Sequence, residues 1–578
     1  MRGETPKLRG GIFPLPDLEG TVPMLRGTMM PSPLTLFSLL ERAGKYFPAV
    51  EIVSRRPGGS LHRACYEEMY RRSHSLAAGL LRAGLRPGDR VATLSWNHRE
   101  HLEAYFGVPC ARGVVHTLNL RLSADELIAI VRHAGDRFLI VDDVLLPTFE
   151  KIRNAVTLER VWVVPTAGPA GSAGGSLPSG CEDYEDLVAL PAQGFRYPDV
   201  DENEAAAMCY TSGTTGQPKG VLYSHRALVL HTLAVSLAET FGLRQSDVCL
   251  VVVPMFHANC WGLPQACAML GCKMVLPGPY LDPLSLLQLI HSEQTTYAAA
   301  VPTIWMGIAE QLEKDPGRWK VPAGFRATSG GAATPEALLE RCDRLGLSLR
   351  SSWGMTEMTP AGTTSYLKST MEDLPGAERL RRRSLAGLPF PLVETRVMTP
   401  EGEAPWDAET SGELQVRGPF VAAEYFNLPE AAERWTADGW FRTGDVAVID
   451  SEGYVRIADR TKDVIKSGGE WISSVALENA IMGHPAVKEA AVIGVPHPKW
   501  QERPLAVVVK LEGVALDDEA LRAELRDLLS AKFAKWQLPD AIVFAEAIPR
   551  TSVGKFMKSR LRDQFKDWKW EGSGTHGQ

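Results

Sequence analysis

Between Glu51 and Ser329 short apolar runs alternate with stretches of helical spacing, and this alternation limits the fold more than any other feature. Residues 51–53, 90–94, 114–116, 138–141, 250–254, 273–276, 297–301 and 326–329 read as strands. Residues 34–43, 66–85, 101–110, 124–134 and 226–238 carry apolar positions at helical spacing. A strand, a helix and another strand in that order require a crossover, so the expected fold is α/β, with parallel-rich βαβ sheets covered by helices. At 578 residues the chain is too long for a single core. From about residue 388 the pattern changes to short β-like runs at 395–398, 412–417 and 454–457, which suggest a small, mostly antiparallel subdomain. Arg460-Thr461-Lys462-Asp463 then opens a separate α+β unit that runs to about Trp568. The expected division is an arm at 1–33, a large unit at 34–459, a small one at 460–568 and a tail at 569–578.

A net charge of −7 argues against a dedicated nucleic-acid binder, and 45% apolar with 23% charged residues describes an ordinary soluble protein. The one basic run, Arg379 with Arg381, Arg382 and Arg383, reads as a solvated surface segment. The nine cysteines show neither a CxxC nor a Cys/His zinc spacing, as expected of reduced thiols in a cytoplasmic protein. The first twenty residues carry charge and proline without an apolar core, so no signal peptide is expected. No apolar run reaches the roughly 20 residues of a transmembrane segment.

The most distinctive stretch is Tyr210-Thr211-Ser212-Gly213-Thr214-Thr215-Gly216-Gln217-Pro218-Lys219-Gly220. Its glycines free the backbone to turn N–H groups toward an anion, its hydroxyls add neutral donors, and Lys219 adds a mobile charge. Such a loop suits nucleotide phosphates, although Pro218 and Gly220 exclude a Walker A loop. The helical spacing that resumes at Arg226 places a helix N-terminus after the loop, where the macrodipole also favours phosphate. This loop resembles the phosphate-binding signature of the adenylate-forming superfamily: acyl-CoA synthetases, peptide-synthetase adenylation domains and luciferases.

Five further stretches follow in the order of that superfamily. In Ser351-Ser352-Trp353-Gly354-Met355-Thr356-Glu357, an aromatic ring offers a stacking face for adenine and a carboxylate can hold Mg2+. The superfamily usually has Tyr where Trp353 stands, which removes any role for a phenol hydroxyl there. The resemblance gives Thr356 a phosphate contact and places Thr211 with Glu357 at the metal. The small residues Ser329-Gly330-Gly331-Ala332-Ala333 leave room for a flat base, and the resemblance assigns them to the adenine and acyl wall. Asp445, in Thr443-Gly444-Asp445, is a natural acceptor for ribose hydroxyls; the resemblance carries ribose binding onto Asp445 and Arg460, and extends nucleotide contact to Lys466.

The resemblance makes Lys555, in Thr551-Ser552-Val553-Gly554-Lys555, the lysine that reaches the α-phosphate and the acyl carboxylate. It also makes Gly468-Gly469-Glu470-Trp471 a mobile loop that lines the pantetheine tunnel of CoA, with the hinge at Lys462. Phe256, Trp261, Leu263 and Trp305 are candidates for an apolar acyl tunnel; Trp261, beside His257 at a strand end, is the candidate gate.

The closest resemblance is to bacterial medium- to long-chain fatty-acyl-CoA synthetases. It implies an AMP-forming ligase with Mg2+ as cofactor, ATP and CoA as co-substrates, a fatty acid as substrate, and a homodimer. Two alternatives stay open at this level: an acyl-AMP ligase that loads a carrier protein in trans, and a non-catalytic nucleotide-binding protein on the same fold.

Overall fold

The structure, a computed structural model, describes residues 27–167, 177–189, 192, 194–211, 218–460, 462–467, 470–514, 516–550 and 555–570, with Glu470 and Trp471 described in the backbone alone. The described residues form four sheets. In the largest, of nine strands, Glu51–Arg55, Lys273–Leu276, Val248–Leu250, Tyr297–Ala300, Arg326–Gly330 and Ser348–Gly354 run parallel to their neighbours. Antiparallel strands close its two edges. The second sheet has seven strands, parallel from Glu182–Asp183 through Arg160–Val164, Asp136–Asp142, Arg90–Leu94 and Val114–Thr117 to Ala205–Tyr210. Strands buried on both faces, such as Val114–Thr117 and Tyr297–Ala300, are the apolar runs that helices on either side require. The α/β expectation therefore holds.

Local signals explain several boundaries. Helix Ala124–Ala134 starts at a capping box between Ser123 and Glu126 and ends at Gly135, whose φ of 66° closes the last turn. Helix Pro283–Glu293 starts where the Asp282 side chain accepts from the Ser285 N–H. Helix Arg99–Cys110 is buried along its whole length and contacts strands of both large sheets. Its charges are paired, with Arg99 at 2.7 Å from Glu100 and Arg72 at 2.7 Å from Glu103. Unpaired, these groups would be costly to bury.

Three expectations need correction. The glycine-rich loop does not lead into a helix: it joins strand Ala205–Tyr210 to an antiparallel strand, Gly220–Ser224, and only then does helix His225–Ser236 begin. Val221-Leu222-Tyr223 alternates buried and exposed positions as a strand does, so no helix N-terminus directly follows the loop. The run at 250–254 is shorter as a strand than its apolar residues suggest, and ends at Leu250. The basic run, on helix Gly376–Ser384, is not simply solvated. Arg382 bonds Asp450, and Arg383 pairs with Asp343 at 2.6 Å and donates to the Leu349 carbonyl.

The third sheet, of five antiparallel strands, includes Gly412–Arg417, Phe441–Ile449 and Val455–Arg460. The fourth is built on Val487–His497 and Gln501–Lys510; the hairpin Ile465–Ser467 and Glu470–Ile472 and the parallel strand Ala541–Phe544 both pair with Gln501–Lys510. Contacts across the 460–465 connection are polar. The Ser474 N–H and hydroxyl donate to Asp459 at 2.7 and 2.5 Å. Lys558 reaches the Ser474 hydroxyl at 2.6 Å and Glu478 at 2.7 Å.

Candidate active site

The base of the glycine-rich loop is closed by two bonds. The Thr211 N–H donates to the Lys219 carbonyl at 2.9 Å, and the Lys219 N–H donates to Thr211 Oγ1 at 3.1 Å. Ser212, Gly213, Thr214, Thr215 and Gly216 lie outside the described residues. Lys219 Nζ stands 4.8 Å from the centre of the Tyr425 ring. The Tyr425 hydroxyl in turn donates to Glu357 Oε1 at 2.5 Å, a charge-assisted bond to a buried carboxylate. Burial, with Glu357 adding to it, pushes the Tyr425 phenol far above its ordinary pKa, so the hydroxyl remains a donor. Tyr223 holds the same turn from behind by donating to the Thr356 carbonyl at 2.7 Å. Nothing in the local spacing of Tyr425 pointed to the site.

Strand Ser348–Gly354 carries Trp353 to the next group, where its indole Nε1 donates to Asp445 Oδ2 at 2.8 Å. Asp445 faces Arg460 across an antiparallel pair, with Arg460 Nε 3.4 Å from Oδ1. Both carboxylate oxygens of Asp445 thus have a protein partner, and a ribose placed here would share them.

At the opposite end, residues 258–262 make a left-handed turn that lays Trp261 against the strand end Gly330. A Cβ on Gly330 would lie 3.0 Å from the Trp261 ring, and one on Gly331 would lie 3.3 Å from Lys555 Cε. The glycines are what let indole and lysine come this close. Lys555 follows Arg550, which is bridged to Phe556 and bonded to Glu489 at 2.5 Å.

These groups surround one cavity of about 240 Å³. Thr211, Lys219, Thr356 and Glu357 line its polar end with Trp353, Gly354, Asp445 and Arg460. Phe241, Ala258, Trp261 and Ala361 line its apolar end, with His257 beside them. Gly330, Gly331 and Lys555 stand where the two ends meet, and Lys462 lines the wall next to Arg460. Ala332 and Lys466 are exposed and are not part of this lining. Gly468 and Gly469 lie outside the described residues, and Glu470 and Trp471 are placed only as backbone of a strand.

Three of the four tunnel candidates belong to the core instead. Trp305 donates to the Ala300 and Thr328 carbonyls, Leu263 is fully buried, and Phe256 packs edge-on to Trp96. Besides Tyr425, sequence reasoning missed Phe241 and Arg434, both in the lining.

Burial sets the protonation of the groups at the seam. It pushes His257 down to about 3, with Lys555 adding to the effect, so this imidazole is neutral at working pH. Burial first, then Arg460, lowers Lys555 to about 8 against the opposite pull of Asp445 and Glu357. Lys462 is lowered, by desolvation first.

Among the described residues no three His, Cys, Asp or Glu side chains gather into a metal centre. The polar end has the Glu357 and Asp445 carboxylates and the Thr211 and Thr356 side chains, and Asp445 is already held by Trp353 and Arg460. This sparse oxygen set fits Mg2+, which keeps water and takes much of its coordination from substrate phosphates.

A family model described as AMP-binding enzyme matches residues 40–426, and one described as AMP-binding enzyme C-terminal domain matches residues 476–555. The chain belongs to the AMP-binding enzyme family. Several relatives cover nearly its full length. A long-chain-fatty-acid–CoA ligase of Thermus thermophilus is 49% identical over 543 residues, 94% of this chain and 97% of the relative. A 3-methylmercaptopropionyl-CoA ligase of Ruegeria lacuscaerulensis is 43% identical, over 94% and 99%. A medium-chain-fatty-acid–CoA ligase of Ectopseudomonas oleovorans is 42% identical, over 94% and 98%. In this AMP-binding enzyme no described helix is long and apolar enough to cross a membrane.

Proposed function

We propose that this AMP-binding enzyme is a fatty-acid–CoA ligase of the AMP-forming type, acting on a medium- to long-chain acid. A carboxylate oxygen of the acid attacks the α-phosphorus of ATP, and the bond to the leaving pyrophosphate breaks. The thiol sulfur of CoA then attacks the carbonyl carbon of the acyl-adenylate, its proton is lost to solvent, and AMP departs. The Thermus and Ectopseudomonas relatives carry fatty-acid names, which supports this substrate class.

The observation that carries the reading is the place of Lys555. Lys555 lines a cavity whose one end is rich in donors and charge and whose other end is apolar, and its Cε stands beside Gly331 where the two meet. A carboxylate and a triphosphate repel each other, and a cation at their meeting point offsets the charge that develops as they react. Lys219 and the Thr211 hydroxyl would hold phosphate, while Asp445 with Arg460 would orient the ribose and the Trp353 face the adenine. Thr211 and Glu357 would hold Mg2+, which when bound neutralises phosphate charge. The apolar end, walled by Trp261 and Ala258, would exclude water from the mixed anhydride.

For the second half-reaction Lys555 would have to leave and the loop at 468–471 take its place, with Lys462 as hinge. The polar ties between Asp459, Ser474 and Lys558 lie across that connection and would rearrange.

The test is CoA-dependent AMP release against saturated acids from acetate to stearate. A peak at about ten carbons or more, absent without CoA, is expected for an acyl chain stabilised by about 0.8 kcal/mol per buried methylene. Pyrophosphate release without acyl-CoA would instead favour loading of a carrier protein. A second reading, a short thioether acid, is favoured by the Ruegeria relative; activity confined to 3-methylmercaptopropionate and acids of its length would select it.

A further inference from the structure

The apolar end of the cavity stops at one ring. Strands Arg326–Gly330 and Ser348–Gly354 pair in register, Gly330 with Ser352, Thr328 with Arg350 and Arg326 with Ser348, so these three rows share one face of the sheet. The first row lines the cavity described above. The second and third rows line a separate chamber of about 60 Å³ together with Tyr297. Phe241 lines both spaces and is 3% exposed, so its ring is the partition between them.

The ring is held from every side. Thr240 Oγ1 caps the preceding helix at the carbonyls of Ala234, Val235 and Leu237, at 2.7, 2.9 and 2.8 Å. Arg350 donates to the Thr240 carbonyl at 3.0 Å, and Arg326 donates to the Gly242 carbonyl while pairing with Asp247 at 2.6 Å. The two residues that flank Phe241 are thus tied to adjacent strands, and the ring itself packs edge-on to Phe390 at 5.9 Å.

We propose that Phe241 is a fixed plug that ends the acyl cavity and sets the length of acid this chain accepts, with Arg350 as a positioning residue for it. The inference rests on the ligase reading above. Successive rows on a strand face are about 7 Å apart. A hydrocarbon chain, with bonds of about 1.5 Å at about 111°, advances about 1.25 Å per carbon. Opening the partition would therefore lengthen the acyl path by up to about five carbons. Tyr297, Thr328, Arg326 and Arg350 are among the residues that line the chamber behind the ring, and their polar groups would serve a hydroxyl at the far end of an acid better than a methyl.

The test compares kcat/KM for methyl-ended and ω-hydroxy acids of four to eighteen carbons in wild type, Phe241→Ala and Phe241→Leu, each checked for folding by its melting temperature. The expected result is an optimum moved to longer acids, further in Phe241→Ala than in Phe241→Leu, with ω-hydroxy acids gaining at least tenfold over methyl-ended ones of the same length in Phe241→Ala. Arg350→Gln, which leaves the ring in place but loosens its loop, is expected to broaden the length profile; a merely structural arginine would lower the melting temperature and leave the ratio between acids unchanged. A folded Phe241→Leu with the wild-type profile for both series would overturn the inference while leaving the ligase reading intact. A wild type that makes no acyl-CoA from any acid would overturn the ligase reading itself.

Discussion

Lys555 permits the sharpest quantitative prediction, because its environment places its titration inside the working range. An ordinary lysine ammonium, with a pKa near 10.4, is about 96% charged at pH 9. Burial, then Arg460, lowers Lys555 to about 8 in the enzyme without substrate. A lysine at that value is about 90% protonated at pH 7 and about 10% at pH 9. If the charged form is what adenylation needs, kcat/KM for acyl-adenylate formation falls about tenfold between pH 7 and pH 9, with activity retained on the acid side. kcat/KM reports the free enzyme, whereas kcat reports the complex. Bound ATP brings several negative charges close to the ammonium and raises its pKa, so kcat should fall much less over the same interval.

The assay is single-turnover formation of acyl-AMP without CoA, from pH 6 to 9.5 at constant ionic strength. His257 cannot mimic the effect, since burial keeps it neutral from about pH 3 upward. Lys555→Ala should abolish this step and its alkaline limb while largely sparing thioester formation from supplied acyl-AMP. A kcat/KM profile flat through pH 9.5, or an alkaline limb that survives in Lys555→Ala, would refute the assignment of the charge to this lysine.

Other expectations follow from single contacts. Trp353→Phe keeps the stacking face but deletes the 2.8 Å bond to Asp445; at about 1.5–3 kcal/mol for a bond to a charged acceptor, KM for ATP should rise roughly ten- to a hundredfold by initial rates. Tyr425→Phe strips a buried carboxylate of its 2.5 Å donor and should cost about 1.5–3 kcal/mol of stability in denaturant melts, and an unchanged midpoint would count against that bond. Gly331→Ala must hold φ near +83° at about 1–2 kcal/mol and place its methyl 3.3 Å from Lys555 Cε. Adenylation should therefore suffer more than transfer from supplied acyl-AMP, and equal losses would show that the methyl does not displace the lysine.

What the sequence reveals about this chain depends on how locally each feature is encoded. Helix Ala124–Ala134 and strand Lys273–Leu276 coincide with their expected bounds, because a capping box, a closing glycine and an apolar run are contained within the segment itself. The hairpin at Ala205–Tyr210 and Gly220–Ser224 was hidden because its second strand abuts a helix with only Ser224 as cap between them. Lys555, Asp445 and Trp353 were legible through their neighbours in the chain. Tyr425 and Phe241 were not, since a lone aromatic carries no spacing and acquires meaning only when the fold sets it against Glu357 or between two cavities. Phe256, Leu263 and Trp305 show the converse: apolar residues close in sequence to the site were spent on the core.

The turn that delivers Trp261 illustrates the same limit at the backbone. Ala258, Asn259, Cys260 and Trp261 all have φ between 42° and 55°, and Gly262 follows at 74°. Four consecutive side-chain-bearing residues in the left-handed region cost roughly 1–2 kcal/mol each, and only the last position has the glycine that would announce such a turn. The compensation comes from elsewhere in the chain. Asn97 donates to the Val251 and Val253 carbonyls at 2.8 Å each and accepts from the Met255 N–H at 2.8 Å; Tyr105 donates to the Met255 carbonyl; and the Cys260 thiol donates to the Val253 carbonyl at 2.9 Å. Residues 97 and 105 precede the turn by more than 150 positions, so no window of sequence around it contains the reason it exists. Strain of this kind persists only where surrounding contacts over-determine it, and here it holds an indole edge against Gly330, beside the glycine that Lys555 packs on. Asn97→Ala tests the coupling: with three anchoring bonds gone, the turn should relax, and acyl-adenylate should be lost to water faster even though no cavity-lining residue has changed. Unaltered leakage of acyl-AMP in a folded Asn97→Ala would mean that the turn, strained as it is, does not govern the seal.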